Sequence, residues 1–140
     1  TAMLERFPGA TYTLMAAAVA DWTVQAAPEK LSKDESAAWP DRTQTVDIAA
    51  ELGQKKTPEQ TLVVFAAETT ADDQELLARA VAKREAKGAD VVVANRVGEQ
   101  VGFGPTETAV WIVQRSGAPV LSTGSKLTVA GHLFDVLLGP

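Results

Sequence analysis

Arg79, Lys83 and Lys87 are spaced i, i+4, i+8, so a helix through this segment carries them as one basic stripe. Ammonium groups one turn apart repel by roughly a few tenths of a kcal/mol unless an anion or an acid compensates them. A polyphosphate would supply that compensation. The plainer alternative is a solvated face, made comfortable by Glu85 and the negative end of the helix dipole. A second set of polar residues ends three short apolar runs: Asp21, Glu68 (followed by Thr69) and Asn95. A carboxylate at a strand end can accept ribose hydroxyls or hold Mg²⁺, while Asp21 could equally cap the turn that follows it. Lys30 and Lys33 stand in a charged stretch where they either grip an anion or are simply solvated.

Other chemistries are excluded. The chain has no Cys and one His, His132, so disulfides, thiolate metal sites, a Cys nucleophile and a His-built zinc centre are out of reach. His132 is expected to have a plain helix-surface or half-buried role. No Gly-x-Gly-x-x-Gly occurs, and Gly124-Ser-Lys-Leu-Thr128 lacks the glycine that a phosphate loop needs at its start. The 140 residues carry 13 basic against 18 acidic side chains, a net charge of −5, which argues against bulk binding to nucleic acid. Apolar runs such as Leu14 to Ala20 fall far short of the roughly 18 residues of a membrane span, and a soluble, cytoplasmic protein is expected.

With 46% hydrophobic and 22% charged residues, a single domain over 1–140 is expected. Ala2 to Phe7 reads as the last turns of a helix stopped by Pro8 and Gly9, as though the start were cut from something longer. Thr11 to Ala20 is a continuous apolar run suited to a strand covered on both faces, closing on Asp21. From Trp22 to Gln44 charged and small residues broken by Pro28 and Pro40 predict a long flap-like excursion, with Trp22 and Trp39 at its borders. Val46 to Gly53 suits one or two helical turns ending at Gly53. Thr61 to Ala67 is a second buried strand. Thr69 to Asp73 supplies cap and acidic first-turn residues for a helix to Lys87, with Gly88 as its stop. Leu76, Leu77, Ala80 and Val81 form its apolar side.

Asp90 to Ala94 is a third strand and Thr108 to Gln114 a fourth, turned at Ser116-Gly117; Ser125 can cap a closing helix that buries Val129, Leu133, Val136 and Leu137. This alternation predicts an α/β fold with a Rossmann-like parallel sheet flanked by helices, a flap over about 22–45, and an additional C-terminal strand and helix. Such sheets bind ligands beyond their strand carboxyl ends, the rim that Asp21, Glu68 and Asn95 should line.

In this order the pieces resemble the phosphopantothenoylcysteine synthetase domain of bacterial coenzyme A biosynthesis, usually the second half of a bifunctional decarboxylase and synthetase. The likeness is carried by Met15-Ala-Ala-Ala-Val-Ala-Asp21, Ala27-Pro-Glu-Lys-Leu-Ser-Lys33, Val46-Asp-Ile48, Val64-Phe-Ala-Ala-Glu-Thr69, Ala78 to Asp90, Val93-Ala-Asn95 and Gly102-Phe103. It implies a ligase that activates 4′-phosphopantothenate with CTP and Mg²⁺ as an acyl-cytidylate and joins it to cysteine, releasing pyrophosphate and CMP. It further implies CTP contacts at Ala17, Ala18, Asp21, Lys30, Asp47, Ile48, Phe65, Lys83 and Lys87, with Lys30 acting in catalysis and no protein residue assigned to the metal. A homodimer follows from the same likeness, or a dodecamer in a fused parent protein.

The chain departs from the family pattern at Lys30-Leu-Ser-Lys33, which has one lysine fewer than Lys-x-Lys-Lys, at Thr45-Val46 in place of Asn-Pro, and before Phe65, where Gly is usual. The family's Gly-rich N-terminal stretch has no counterpart in these residues, so binding without complete catalysis is expected of this chain alone. A non-catalytic nucleotide-binding module is the alternative reading.

Overall fold

The computed structural model describes residues 2–26, 41–98 and 107–139. They divide into two compact units, one formed by residues 1–16 with 48–140 and the other by residues 17–47. The first unit contains a five-stranded sheet in the order β1-β4-β5-β6-β7. Its strands are β1 (Tyr12–Met15), β4 (Thr61–Glu68), β5 (Val91–Arg96), β6 (Thr108–Gln114) and β7 (Val120–Gly124). The helices are α1 (Ala2–Arg6), α2 (Ile48–Lys55), α3 (Asp73–Ala86) and α4 (Lys126–Leu138), with a 3-10 turn at Phe7–Gly9.

β1, β4 and β5 run parallel, in registers that include Leu14↔Val63 and Phe65↔Val93. The last two strands reverse. β5 pairs with β6, and β6 with β7, in antiparallel fashion. The sheet is therefore mixed, with its parallel portion confined to β1, β4 and β5, of which β4 and β5 carry the candidate rim residues Glu68 and Asn95.

Continuous apolar sequence in β4 and β5 is explained by burial on both faces. Alternate residues Leu62, Val64, Ala66, Val92 and Ala94 pack with Val113, Leu52, Leu76, Ala80 and Phe7 on one side. Val63, Val91 and Val93 pack with Val110, Ile112, Val129 and Leu133 on the other, beneath α4. The bases of β4 and β5 are tied by Asp90, whose Oδ2 accepts from the Leu62 N–H at 2.8 Å. Its Oδ1 meets Lys56 Nζ at 3.1 Å and Arg115 Nε at 3.0 Å.

Helix starts follow local chemistry. Asp72 caps α3 by accepting the Glu75 N–H at 2.8 Å, and Glu75 reaches back to accept the Ala71 N–H at 3.0 Å. Ser125 caps α4 by accepting the Thr128 N–H at 3.1 Å.

Four expectations need correction. β1 stops at Met15, pairing with β4 only from Tyr12↔Thr61 to Met15↔Val64, and Ala16 to Ala20 are exposed, the alanines among them having little apolar area to bury. Asp21 consequently stands outside β1. In the second unit the ends of the expected excursion pair as β2 (Trp22–Val24) with β3 (Arg42–Gln44), antiparallel. Strands of three residues are too short to leave a period in the sequence. α2 continues past Gly53 to Lys55, so that glycine is interior to the helix rather than its stop. Finally, β7 is a strand that no apolar alternation announced, since its exposed Val120, Leu121 and Thr123 surround the single buried Ser122.

Candidate functional site

Along β4 the side chains alternate between faces, so Phe65 and Glu68 end up on opposite sides of the sheet. Phe65 is 39% exposed, on the face that α4 covers in part. Asn95, which pairs with Ala67 across β5, shares that face and is half-buried. Its Nδ2 donates to the Arg96 carbonyl at 3.4 Å.

Glu68 looks toward α3. Its Oε1 accepts from Lys83 Nζ at 2.8 Å, and its Oε2 lies 3.4 Å from Arg79 Nη1. Arg79 is held more closely by Glu75, with Nη2 to Oε1 at 2.6 Å. The β4–α3–β5 crossover creates this arrangement by returning the helix over the strand end it has just left. Hydrogen bonding from Lys83 holds the Glu68 carboxyl below the usual carboxylate range. Arg79 is pushed upward, chiefly by its hydrogen bond to Glu75.

Two further groups complete this end of the sheet. Arg96, opposite Glu68 in the register, donates to the Ala71 carbonyl at 3.2 Å and stands 3.7 Å from Asp73. Thr70 Oγ1 is shielded from solvent and has no hydrogen-bond partner among the described residues. Sequence reasoning passed over both. Arg96 could have been found from the β4–β5 register, whereas nothing local marks the Thr70 hydroxyl as shielded.

Among the described residues, Lys83 and Glu68 are candidates that meet directly. The acid that offsets the like-charged stripe is thus a strand-end carboxylate fifteen positions earlier, a separation at which no helical period could reveal it. Lys87 is the C-cap of α3, with its N–H directed to the Lys83 and Glu85 carbonyls. Ile48 begins α2 and packs against the core.

In the other unit Ala17, Ala18, Asp21 and Asp47 are exposed. The Asp21 carbonyl accepts the Thr45 N–H at 2.9 Å and the Ala20 carbonyl accepts from the Thr45 hydroxyl, so the backbone at this point fastens the root of the hairpin. Lys30, Lys33 and Trp39 lie outside the described residues, as do Gly102 and Phe103. Among the described residues no group of three or more His, Cys, Asp or Glu could hold a metal ion, and no helix is long and apolar enough to cross a membrane. His132 is exposed on α4 and shares a 2.8 Å hydrogen bond with the buried Ser122.

Residues 1–139 match the family model described as DNA/pantothenate metabolism flavoprotein C-terminal domain. The chain belongs to that family. The bifunctional coenzyme A biosynthesis protein CoaBC of Bacillus subtilis is 37% identical over 97% of this chain and 32% of its own length. CoaBC of Mycolicibacterium smegmatis is 33% identical over 96% of the chain and 34% of its length. The chain thus spans about a third of the length of these curated relatives. The crystal structure of the DNA/pantothenate metabolism flavoprotein from Streptococcus pneumoniae superposes with a TM-score of 0.77 at 18% identity, covering 98% of this chain and 66% of that one. That likeness shows the fold. In this chain the α/β, Rossmann-like sheet places Glu68, Arg79, Lys83 and Arg96 at the carboxyl ends of β4 and β5, where open α/β sheets bind ligands.

Proposed function

We propose that this chain is the nucleotide-binding part of a CTP-dependent phosphopantothenate–cysteine ligase of coenzyme A biosynthesis. The observation that carries the reading is the cationic pair Arg79 and Lys83 at the carboxyl end of β4, within a chain of this family whose relatives are CoaBC proteins. The overall reaction condenses the carboxylate of 4′-phosphopantothenate with the cysteine amine and cleaves CTP to CMP and pyrophosphate. An acyl-cytidylate is the activated intermediate.

Lys83 and Lys87 are proposed to bind the phosphates. Lys83 is 31% exposed at its side chain, open enough to exchange part of its contact with Glu68 for a phosphate oxygen. Phe65 offers a half-exposed ring, and Asn95 on the same face an amide, to the nucleoside. Ile48 and Asp47 are assigned to the nucleotide by family motif, as are Ala17, Ala18 and Asp21. Backbone groups are expected to choose the base: a polar edge fitted to cytosine leaves groups unpaired against uracil or adenine, at about 1–3 kcal/mol each. Lys30 is assigned by motif to the α-phosphate, where a cation offsets charge gathered in the transition state. Mg²⁺ would arrive with the triphosphate and spread its charge.

A homodimer in the cytoplasm, with residues 22–44 contributing to the contact, belongs to the same proposal, as does a dodecamer in a fused parent. Pyrophosphate release that requires CTP, 4′-phosphopantothenate and cysteine together, measured in the full-length natural protein, tests the ligase. CTP binding without such release would favour the non-catalytic nucleotide-binding module.

A further inference from the structure

The basic stripe of α3 is expected to attract phosphate, yet a carboxylate stands against it. Glu68 is 18% exposed at its side chain, and its shorter, better partner is Lys83, at 2.8 Å against 3.4 Å for Arg79. Arg79 already has Glu75 at 2.6 Å. Of the two cations, Lys83 is therefore the one that Glu68 places.

An ionised carboxylate is an acceptor only and repels phosphate, so Glu68 can promote nucleotide binding only through a cation that it orients. The hydrogen bond from Lys83 favours its ionised form. A lysine has a long, freely rotating stem, and fixing it costs up to about 2 kcal/mol of rotamer entropy. A partner that fixes it before the ligand arrives removes much of that cost from the binding step.

We propose that Glu68 is a positioning residue for Lys83, holding its ammonium group at the carboxyl end of β4 ready for a nucleoside triphosphate. This rests on the ligase reading, which supplies the ligand. A contrary role is conceivable on the same geometry: Glu68 could act as a lock that occupies Lys83 and competes with phosphate. The two roles predict opposite signs. Removing a positioning group weakens binding, and removing a lock tightens it.

The test is a double-mutant cycle read by calorimetric titration of CTP with Mg²⁺, using the unaltered chain, Glu68→Gln, Lys83→Met and the double variant, with thermal melts on each. Positioning predicts that Glu68→Gln weakens CTP binding by roughly 5- to 30-fold when Lys83 is present, whereas in the Lys83→Met background, where the carboxylate has no cation to place, it causes no loss and recovers part of the binding. Glu68→Asp, which keeps the charge, should recover part of the loss. Equal losses in both backgrounds would mean a merely structural role, and tighter binding by Glu68→Gln would mean a lock; either overturns the proposal. An unaltered chain with no affinity for CTP overturns the nucleotide reading and this inference with it, whereas CTP binding without coupling overturns the inference alone.

Discussion

Gly53 in α2 lies directly against the backbone carbonyl of Lys87 at the end of α3, with no side chain between them. A methyl group built on Gly53 would overlap the Lys87 carbonyl oxygen, and would stand 2.8 Å from the Lys87 carbonyl carbon and 3.1 Å from Gly88 Cα. Gly88, at φ +59°, turns the chain out of the helix there. A proposed phosphate-binding lysine is thus carried on backbone whose position depends on the absence of one methyl group on a neighbouring helix.

Gly53→Ala should therefore destabilise the protein, although alanine in a helix interior is ordinarily favoured over glycine by about 1 kcal/mol. The clash is with backbone and cannot be relieved by a rotamer change, so a net loss of about 1–3 kcal/mol is expected. Urea unfolding gives the value directly. An unchanged or higher midpoint would show that α2 can shift without cost.

How much of this was legible before the structure differs from residue to residue. The strand at 61–68, the helix capped near Asp72 and the closing helix capped by Ser125 follow from local patterns, because burial on two faces and capping hydrogen bonds act over a few residues. The β2–β3 pairing and the early end of β1 depend on partners far away in sequence, and Ala-rich or three-residue segments carry no period to betray them. Gly53 reads as a helix stop because a close approach to another helix leaves the same mark in sequence as a C-cap. The site was half visible: Lys83 and Glu68 were each singled out, but their pairing is a product of the crossover.

Acid should expose the Glu68 contribution. Its folded-state pKa is lowered, chiefly by the hydrogen bond from Lys83, so between the folded value and the unfolded value the unfolded chain binds more protons. The stabilisation is fully present above the unfolded carboxylate range of about 4.3 and is lost as pH falls through the folded pKa. Glu68→Gln should accordingly be less stable than the unaltered chain at pH 7, with the gap closing toward pH 3. Denaturant titrations at both pH values measure the gap, and a gap that stays constant would contradict the assignment.

Thr70 presents the opposite case. Its shielded hydroxyl lacks a partner among the described residues, and leaving such a group unsatisfied costs about 1–3 kcal/mol. Thr70→Val keeps the shape and removes the orphan, so a gain on the order of 1 kcal/mol in unfolding free energy is expected. Calorimetric melting checks it; a loss of similar size would reveal a partner for the hydroxyl.

Lys83 and Lys87 should not weigh equally in nucleotide binding. Replacing Lys83 by Ala removes a cation and also uncovers Glu68, whose carboxylate then faces the phosphates unscreened. Both changes oppose the ligand. Loss of the charge-assisted contact alone is worth about 1.5–3 kcal/mol, and the uncovered charge adds to it. Lys87 stands at the C-cap of α3, near the carbonyls of the last turn. Because Lys83 sits directly on the Glu68 carboxylate at the β4 end, Lys83→Ala is expected to weaken CTP binding more than Lys87→Ala. Adding Glu68→Gln to Lys83→Ala should restore part of the loss. Screening gives a second check, because the Debye length falls from about 10 Å at 0.1 M salt to about 3 Å at 1 M. The difference between the two lysine variants should narrow as salt rises. Dissociation constants for CTP at low and high salt decide the matter, and equal, salt-insensitive losses would place the phosphates away from the β4 end.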